Sequence, residues 1–367
     1  MYSIQAVQFN CKQSKACRWI WEVFRLAADS YHHLLNAELH INEWVQEHLS
    51  LAEPLFRFIS VYLEPGTLFN VLIPLMGILS QGLLTQLLYM ITVVSTVSSL
   101  EKWIYPELRP LWWLRELYAN GNRNAIRSGI ALQSHDLSCE TSGGLPCAHS
   151  MSLMAFLVIL SSHLSLSSGC RNRKVLLYSL VGCCMMSVWL SRLYLATEFL
   201  HQCLLGSYIA ISTLSNIDRH LDYLRNRRRI HFVVIVLLLG SLATAVYFIK
   251  LRLGFDPHWS VRQAFKWCPE PTYMRHEGSP IFLLTRDLGN LMGVALSVPL
   301  ELKPRKSSLS RRFGGILIVE IFNHILRLYT PKQHGRFAFL AFEFSRNALH
   351  SLTLIKILPK LIKEKVA

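Results

Sequence analysis

The chain has 367 residues, 51% hydrophobic and only 17% charged, against about a quarter charged in ordinary soluble domains. Its 38 Lys+Arg exceed its 23 Asp+Glu, for a net charge of +15, but the cations fall in short clusters between long apolar runs. That pattern excludes a nucleic-acid-binding surface, a disordered chain, a coiled coil and a disulfide-stapled secreted module. Nine cysteines is an odd number, Cys183 and Cys184 lie in an apolar run, and no metal-ligand spacing emerges; no metal or other cofactor is expected. The residues before Cys17 lack a signal-peptide core, so the first span is expected to target the chain.

The composition predicts an all-α protein, a polytopic membrane helix bundle of about nine transmembrane helices. Residues 55–79 give the first span, interrupted by Arg57, Glu64 and the Pro65-Gly66 pair. Residues 81–100, 150–170, 175–191, 199–217 and 232–249 follow, free of Lys, Arg, Asp and Glu, with His163 and His201 their only histidines. Three weaker spans, 279–300, 313–329 and 337–355, carry Arg286, Asp287, Glu320, Glu343 and Arg346. Charges at that depth are expected to pair within the bundle. The cation clusters at 171–174, 225–229 and 303–312, and Lys356, Lys360, Lys363 and Lys365 in the tail, alternate onto one side. The positive-inside rule makes that side cytosolic. Residues 27–55 hold no Lys or Arg, as suits a start on the far side. The domain reading is therefore a lumenal N-terminal segment 1–54, a nine-helix domain 55–355 and a cytosolic tail 356–367. Lys363 and Lys365 stand third and fifth from the end, like a dilysine signal for retrieval to the endoplasmic reticulum.

Three segments place cations and histidines together on the far side, where the topology trend disfavours cations. Lys102 and Arg109 are seven residues apart and would share a helix face if the helix survives Pro106. Pro146-Cys147-Ala148-His149 precedes a span; backbone N–H groups at a helix start bind phosphate, and a histidine there can protonate a leaving oxygen. Ser191-Arg192 runs through Glu198 to His201 over a loop so short that Arg192 stays at the surface. The bland readings are snorkelling cations and a polar interfacial histidine.

Together the three segments resemble the signature of the type 2 phosphatidic acid phosphatase superfamily, Lys-x6-Arg-Pro, Pro-Ser-Gly-His and Ser-Arg-x5-His. Closer still is the glucose-6-phosphatase catalytic subunit family. That resemblance runs from about Asn36 onward and includes Trp112-Trp113, Cys139-Glu140-Thr141, His201-Gln202 and the stretch from Leu253-Gly254 through Asp256, Trp259 and Trp267-Cys268 to Pro271. It implies a phosphatidic-acid-phosphatase-like core in the endoplasmic-reticulum membrane. The active site would face the lumen and hydrolyse glucose 6-phosphate to glucose and phosphate, without a cofactor, for gluconeogenesis. Lys102, Arg109, Arg192 and the backbone at Cys147 and Ala148 would bind phosphate, and His149 would act as general acid. The lipid bilayer and a glucose 6-phosphate transporter are the partners this implies.

The chain departs from the signature at Cys147 and Ala148, where the family has Ser and Gly. It departs also at Glu198, which stands six residues after Arg192 where the family's nucleophilic histidine belongs. Glu198 would then attack phosphorus itself and form an acyl-phosphate, or would orient water, or His201 one helical turn on would replace the nucleophile. The alternative function is a sugar-phosphate-binding descendant with little or no turnover. An anion channel would use the same cations without needing His149.

Overall fold

The computed structural model describes residues 15–105, 107–121, 129–166, 171–219, 228–268, 270, 273–274, 276–300, 307–331 and 335–362. Arg225 to Arg227, Lys303, Lys363 and Lys365, which carry part of the topology reading, lie outside the described residues. The regular elements are helices. α1 (Lys15–His48) is amphipathic: Leu35, Glu38, Leu39, Asn42, Val45 and Gln46 are buried, at the three-and-four spacing of one helix face. The segment before the bundle is thus part of its packing. α2 (Glu53–Tyr62) and α3 (Pro65–Leu79, with a π turn at Leu68–Leu72) meet at 52°, with Pro65 starting the second arm. Proline has no N–H to continue a ladder, so the chain bends there.

α4 (Gln81–Ile104) starts at Ser80, whose side chain accepts from the Leu83 N–H. Of its most apolar window, 78% is buried, so α4 is the central post of the bundle. Around it stand α5 (Pro110–Ala119), α6 (Ala148–Leu166), α7 (Arg171–Tyr194), α8 (Leu200–Arg219) and α9 (Arg229–Arg252). α10 (Trp259–Trp267), α11 (Pro280–Leu296), α12 (Leu309–Leu328) and α13 (Arg336–Leu352) complete the order. α9 has the highest mean hydropathy, 2.6, yet buries only 11% of its window; an apolar helix left so open is a lipid-facing one.

Among the described residues four helices, α4, α6, α7 and α9, are long and apolar enough to cross a membrane, or five if the bent α2–α3 pair is one span. The sequence expectation was nine. α8 and α12, at 20 residues each, are long enough but less apolar, and α11 and α13, at 17 residues each, are shorter. Their charges pair inside the bundle: Arg286 with Asp287 at 2.8 Å, Arg346 with Glu343 at 2.7 Å and His350 with Glu320 at 2.8 Å.

A disulfide between Cys139 and Cys268, 129 residues apart, ties the loop before α6 to the end of α10. The odd cysteine count hid it in the sequence. Such bonds form and persist in oxidising compartments.

α11 and α13 approach through Gly289 and Gly293, a small-xxx-small pair that lets two backbones close in. A Cβ at Gly293 would meet the Ala348 carbonyl and the Ser351 side chain. Gly293→Ala should therefore lower stability by about 1–3 kcal/mol through overpacking. Gly182→Ala, where nothing lies within 4 Å, should cost nothing, because alanine is the better helix former. Unfolding midpoints of the two variants in detergent test this; equal midpoints would contradict it.

Candidate active site

Two helix C-termini and two helix N-termini meet at one end of the bundle. Lys102 lies in the last turn of α4 and Arg192 in the last turn of α7, where cations face the negative end of the helix dipole. α4 ends at Ile104, so Lys102 and Arg109 do not share a helix face as the spacing suggested. Arg109 instead takes an extended conformation as N-cap of α5, ahead of Pro110, the residue preset for a first helical turn. Pro106 itself lies outside the described residues.

The two side chains converge on the same loop all the same. Lys102 Nζ donates to the Gly143 carbonyl at 2.5 Å. Arg109 is fully buried and donates to the Ser142 carbonyl at 2.7 Å, the Gly143 carbonyl at 3.1 Å and the Thr197 carbonyl at 2.7 Å. Arg192 donates to Ser60 Oγ at 2.9 Å and to Glu140 Oε1 at 2.5 Å, while its Nε has no partner.

Glu140 bridges the two guanidiniums, since its other oxygen accepts from Arg109 at 3.1 Å. Glu198 lies against the same pair: Oε1 is 3.2 Å from Arg109 and 3.6 Å from Arg192. Its Oε2 is buried without a partner. The α7–α8 loop that carries Glu198 is fixed by Thr197, whose N–H and hydroxyl both donate to the Arg192 carbonyl. It is fixed also from α1, by Asn42 donating to the Leu193 and Glu198 carbonyls and Gln46 to the Tyr194 carbonyl. Ala196 there has φ +50°, a left-handed conformation that side chains resist and that only strong surroundings maintain.

The two carboxyls titrate oppositely. Burial would raise Glu140, but Arg192 and Arg109 outweigh it and hold the group well below the usual carboxylate range. Burial pushes Glu198 up to about 8, against the opposing pull of Arg109, Lys102 and Arg192, with Cys147 adding to the rise. Arg109 and Arg192 are already shared with Glu140, which leaves Glu198 the weaker partner.

A cavity of about 840 Å³ opens on this group, lined here by Lys102, Glu140, Ala148, His149 and Glu198. Arg109 and Arg192 sit behind it, covered by the two carboxylates. His149 Nε2 is 3.2 Å from the Ser60 carbonyl, which keeps a hydrogen on that nitrogen and orients the ring. Cys147 does not line the cavity: its N–H donates to the Gln202 carbonyl at 3.3 Å and its thiol accepts from Ser150. His201 stands apart, with Nδ1 2.7 Å from Glu38 and Nε2 3.5 Å from the Tyr31 hydroxyl. Sequence reasoning gave Glu140 and Ser60 no role. The available signal was physical: two arginines at a buried position require a carboxylate partner, and Glu140 is the acid nearest the His149 segment.

The PAP2 superfamily matches residues 83–217, which hold all three site segments. Over 322 residues, 83% of this chain and 88% of the relative, the sequence is 26% identical to glucose-6-phosphatase catalytic subunit 1 of Canis lupus familiaris. It is 25% identical over 320 residues, again 83% and 88%, to the Mus musculus protein of the same name. Glucose-6-phosphatase 2 of Homo sapiens is 24% identical over 323 residues, covering 83% of this chain and 88% of the relative. No solved structure matches.

The Glu198 geometry makes anion binding pH-dependent. Raising the pH through about 8 ionises Glu198, and its carboxylate then competes with an added anion for Arg109 and Arg192. Glu140, held well below the usual carboxylate range, stays ionised throughout. Sulfate, dianionic over this range, should bind roughly tenfold more weakly at pH 9 than below pH 7. Glu198→Gln should flatten the profile; calorimetric titration of both proteins checks it, and an unchanged slope in the variant would contradict it.

Proposed function

We propose, from the PAP2 superfamily match over residues 83–217 and the likeness to glucose-6-phosphatase catalytic subunits, that the chain hydrolyses glucose 6-phosphate to glucose and phosphate at the lumenal face of the endoplasmic-reticulum membrane. The observation that carries this reading is the convergence of Lys102, Arg109 and Arg192 beside His149, at the end of a cavity able to hold a sugar phosphate. Positioned cations stabilise the charge that spreads over the oxygens of a transferring phosphoryl group. The names of the relatives support the sugar phosphate. The disulfide at the same end as the site supports the lumen. A substrate made on the other side of the membrane would then have to be supplied by a sugar-phosphate transporter.

The hydrolysis assigns each group one task. The incoming phosphate takes over the Nη donors of Arg109 and Arg192 and displaces Glu198, whose ionised form carries the reaction and predominates only above about pH 8. Freed from the guanidiniums, that carboxylate is more basic. It accepts a proton from a water molecule as the water oxygen attacks phosphorus. The bond between phosphorus and the sugar oxygen breaks, and imidazolium His149 gives the oxygen its proton. Inorganic phosphate leaves, and the proton on Glu198 returns to solvent as His149 reprotonates. A carboxylate directing water needs no histidine nucleophile, so the route is open to this chain.

A second reading is favoured by one observation. Glu198 and Glu140 stand between the cavity and both arginines, so the chain as it folds presents an anion site already filled. On this reading the protein binds a sugar phosphate and turns over little of it.

The two readings separate in a phosphatase assay on the purified chain with glucose 6-phosphate. The hydrolytic route predicts measurable wild-type turnover that falls by about 10²-fold or more in Glu198→Gln, a loss typical of a general base. Arg192→Ala should abolish it. Wild-type protein without turnover, gaining it together with an acid-labile phosphohistidine in Glu198→His, would instead establish the binding reading.

A further inference from the structure

The cavity is much larger than a phosphate ion, and its far end is chemically different from the near one. Along one face of α4 run Ser95, Ser98, Ser99 and Lys102, all lining it. Seven residues of helix span roughly 10 Å, so this face leads from the phosphate end to a second polar group. There Asp287, fully buried, accepts from Ser95 at 3.2 Å and from Ser99, and Arg286 Nε donates to it at 2.8 Å. Glu64 and Glu277 stand close enough to add to the negative charge around Arg286. Arg286 lines the cavity with 14% of its side chain open.

The charges at this end cancel. Arg286, Arg327, Arg336 and Arg346 line it with as many carboxylates, Glu64, Glu277, Asp287 and Glu343, and Arg286, Arg327 and Arg346 are ion-paired with Asp287, Glu277 at 3.0 Å and Glu343 at 2.7 Å. Such an end offers no net charge to a second phosphate. It offers a carboxylate that accepts and a guanidinium that donates, side by side, the pairing that suits adjacent hydroxyl groups.

We infer that Arg286 and Asp287, set by Ser95 and Ser99, form a specificity subsite for the hydroxyl groups of the organic part of a phosphate monoester whose phosphate lies at Lys102. The inference rests on the phosphate end proposed above. It adds that selection among monoesters is made at the junction of α4 and α11, away from the cationic group.

The test compares glucose 6-phosphate with ethyl phosphate, which has the same ester and no hydroxyl group, by titration calorimetry on the full-length chain. Wild type should bind the sugar phosphate at least tenfold more tightly, since hydrogen bonds to charged groups are lost with ethyl phosphate. Asp287→Asn and Arg286→Gln should each bring the two ligands to within about twofold while leaving the ethyl phosphate affinity in place, which also shows that the variants are folded. Equal affinities in wild type would overturn the subsite without need of any variant, and so would a preference that survives both substitutions. Wild-type protein that binds neither ligand would show that the phosphate end itself is wrong.

Discussion

Everything at the functional end of this protein follows from two arginine side chains, Arg109 and Arg192, that have almost no exposure to water. Taking a guanidinium out of water costs several kcal/mol unless its hydrogens are met and its charge is matched. The chain meets Arg109 with the Ser142, Gly143 and Thr197 carbonyls and matches both arginines with the single bridging carboxylate of Glu140. Much of the neighbouring structure serves that arrangement. α1 holds the Glu198 loop by its backbone carbonyls, the loop's tight turn puts Ala196 at positive φ, and the Cys139–Cys268 bridge anchors the residue next to Glu140.

Glu198 changes the electrostatics of that end more than its shape. A histidine there would leave the guanidiniums short of negative charge, with a phosphate as the natural partner. A carboxylate supplies the charge itself. Its weak hold, one oxygen near both arginines and the other without a partner, makes it a competitor that a dianion can displace. The same displacement would raise its basicity. Competition for the anion and activation of water are thus two consequences of one interaction.

The sequence was most legible where physics is local. The runs that became α4, α6, α7 and α9 are uninterrupted and apolar, and hydropathy alone found them. The last three expected spans carry charges that pair within α11 and within α13 and between α12 and α13, so their composition gave less; α11, α12 and α13 are helices of mixed character rather than clear spans. The signature residues Lys102, Arg109, His149, Arg192 and Glu198 could be picked out because their spacing resembles a known pattern. Their mode of convergence could not. Seven-residue spacing suggested a continuous helix from Lys102 to Arg109, whereas α4 stops and Arg109 caps the next helix. Glu140, Ser60 and the Cys139–Cys268 bridge act across long sequence separations that no local pattern encodes. His201, one turn beyond Glu198 in sequence, is drawn aside by Glu38, a partner supplied from α1.

The central claim is that Arg109 and Arg192 are an anion site held closed by Glu198. A structure of the purified chain determined in tungstate tests it most directly, because the heavy tetrahedral anion locates itself in the map. The account predicts tungstate within hydrogen-bonding distance of both guanidiniums and Lys102, with the Glu198 carboxylate moved off Arg109 and Glu140 still in place. Tungstate bound elsewhere, or absent, with Glu198 still on Arg109, would contradict it.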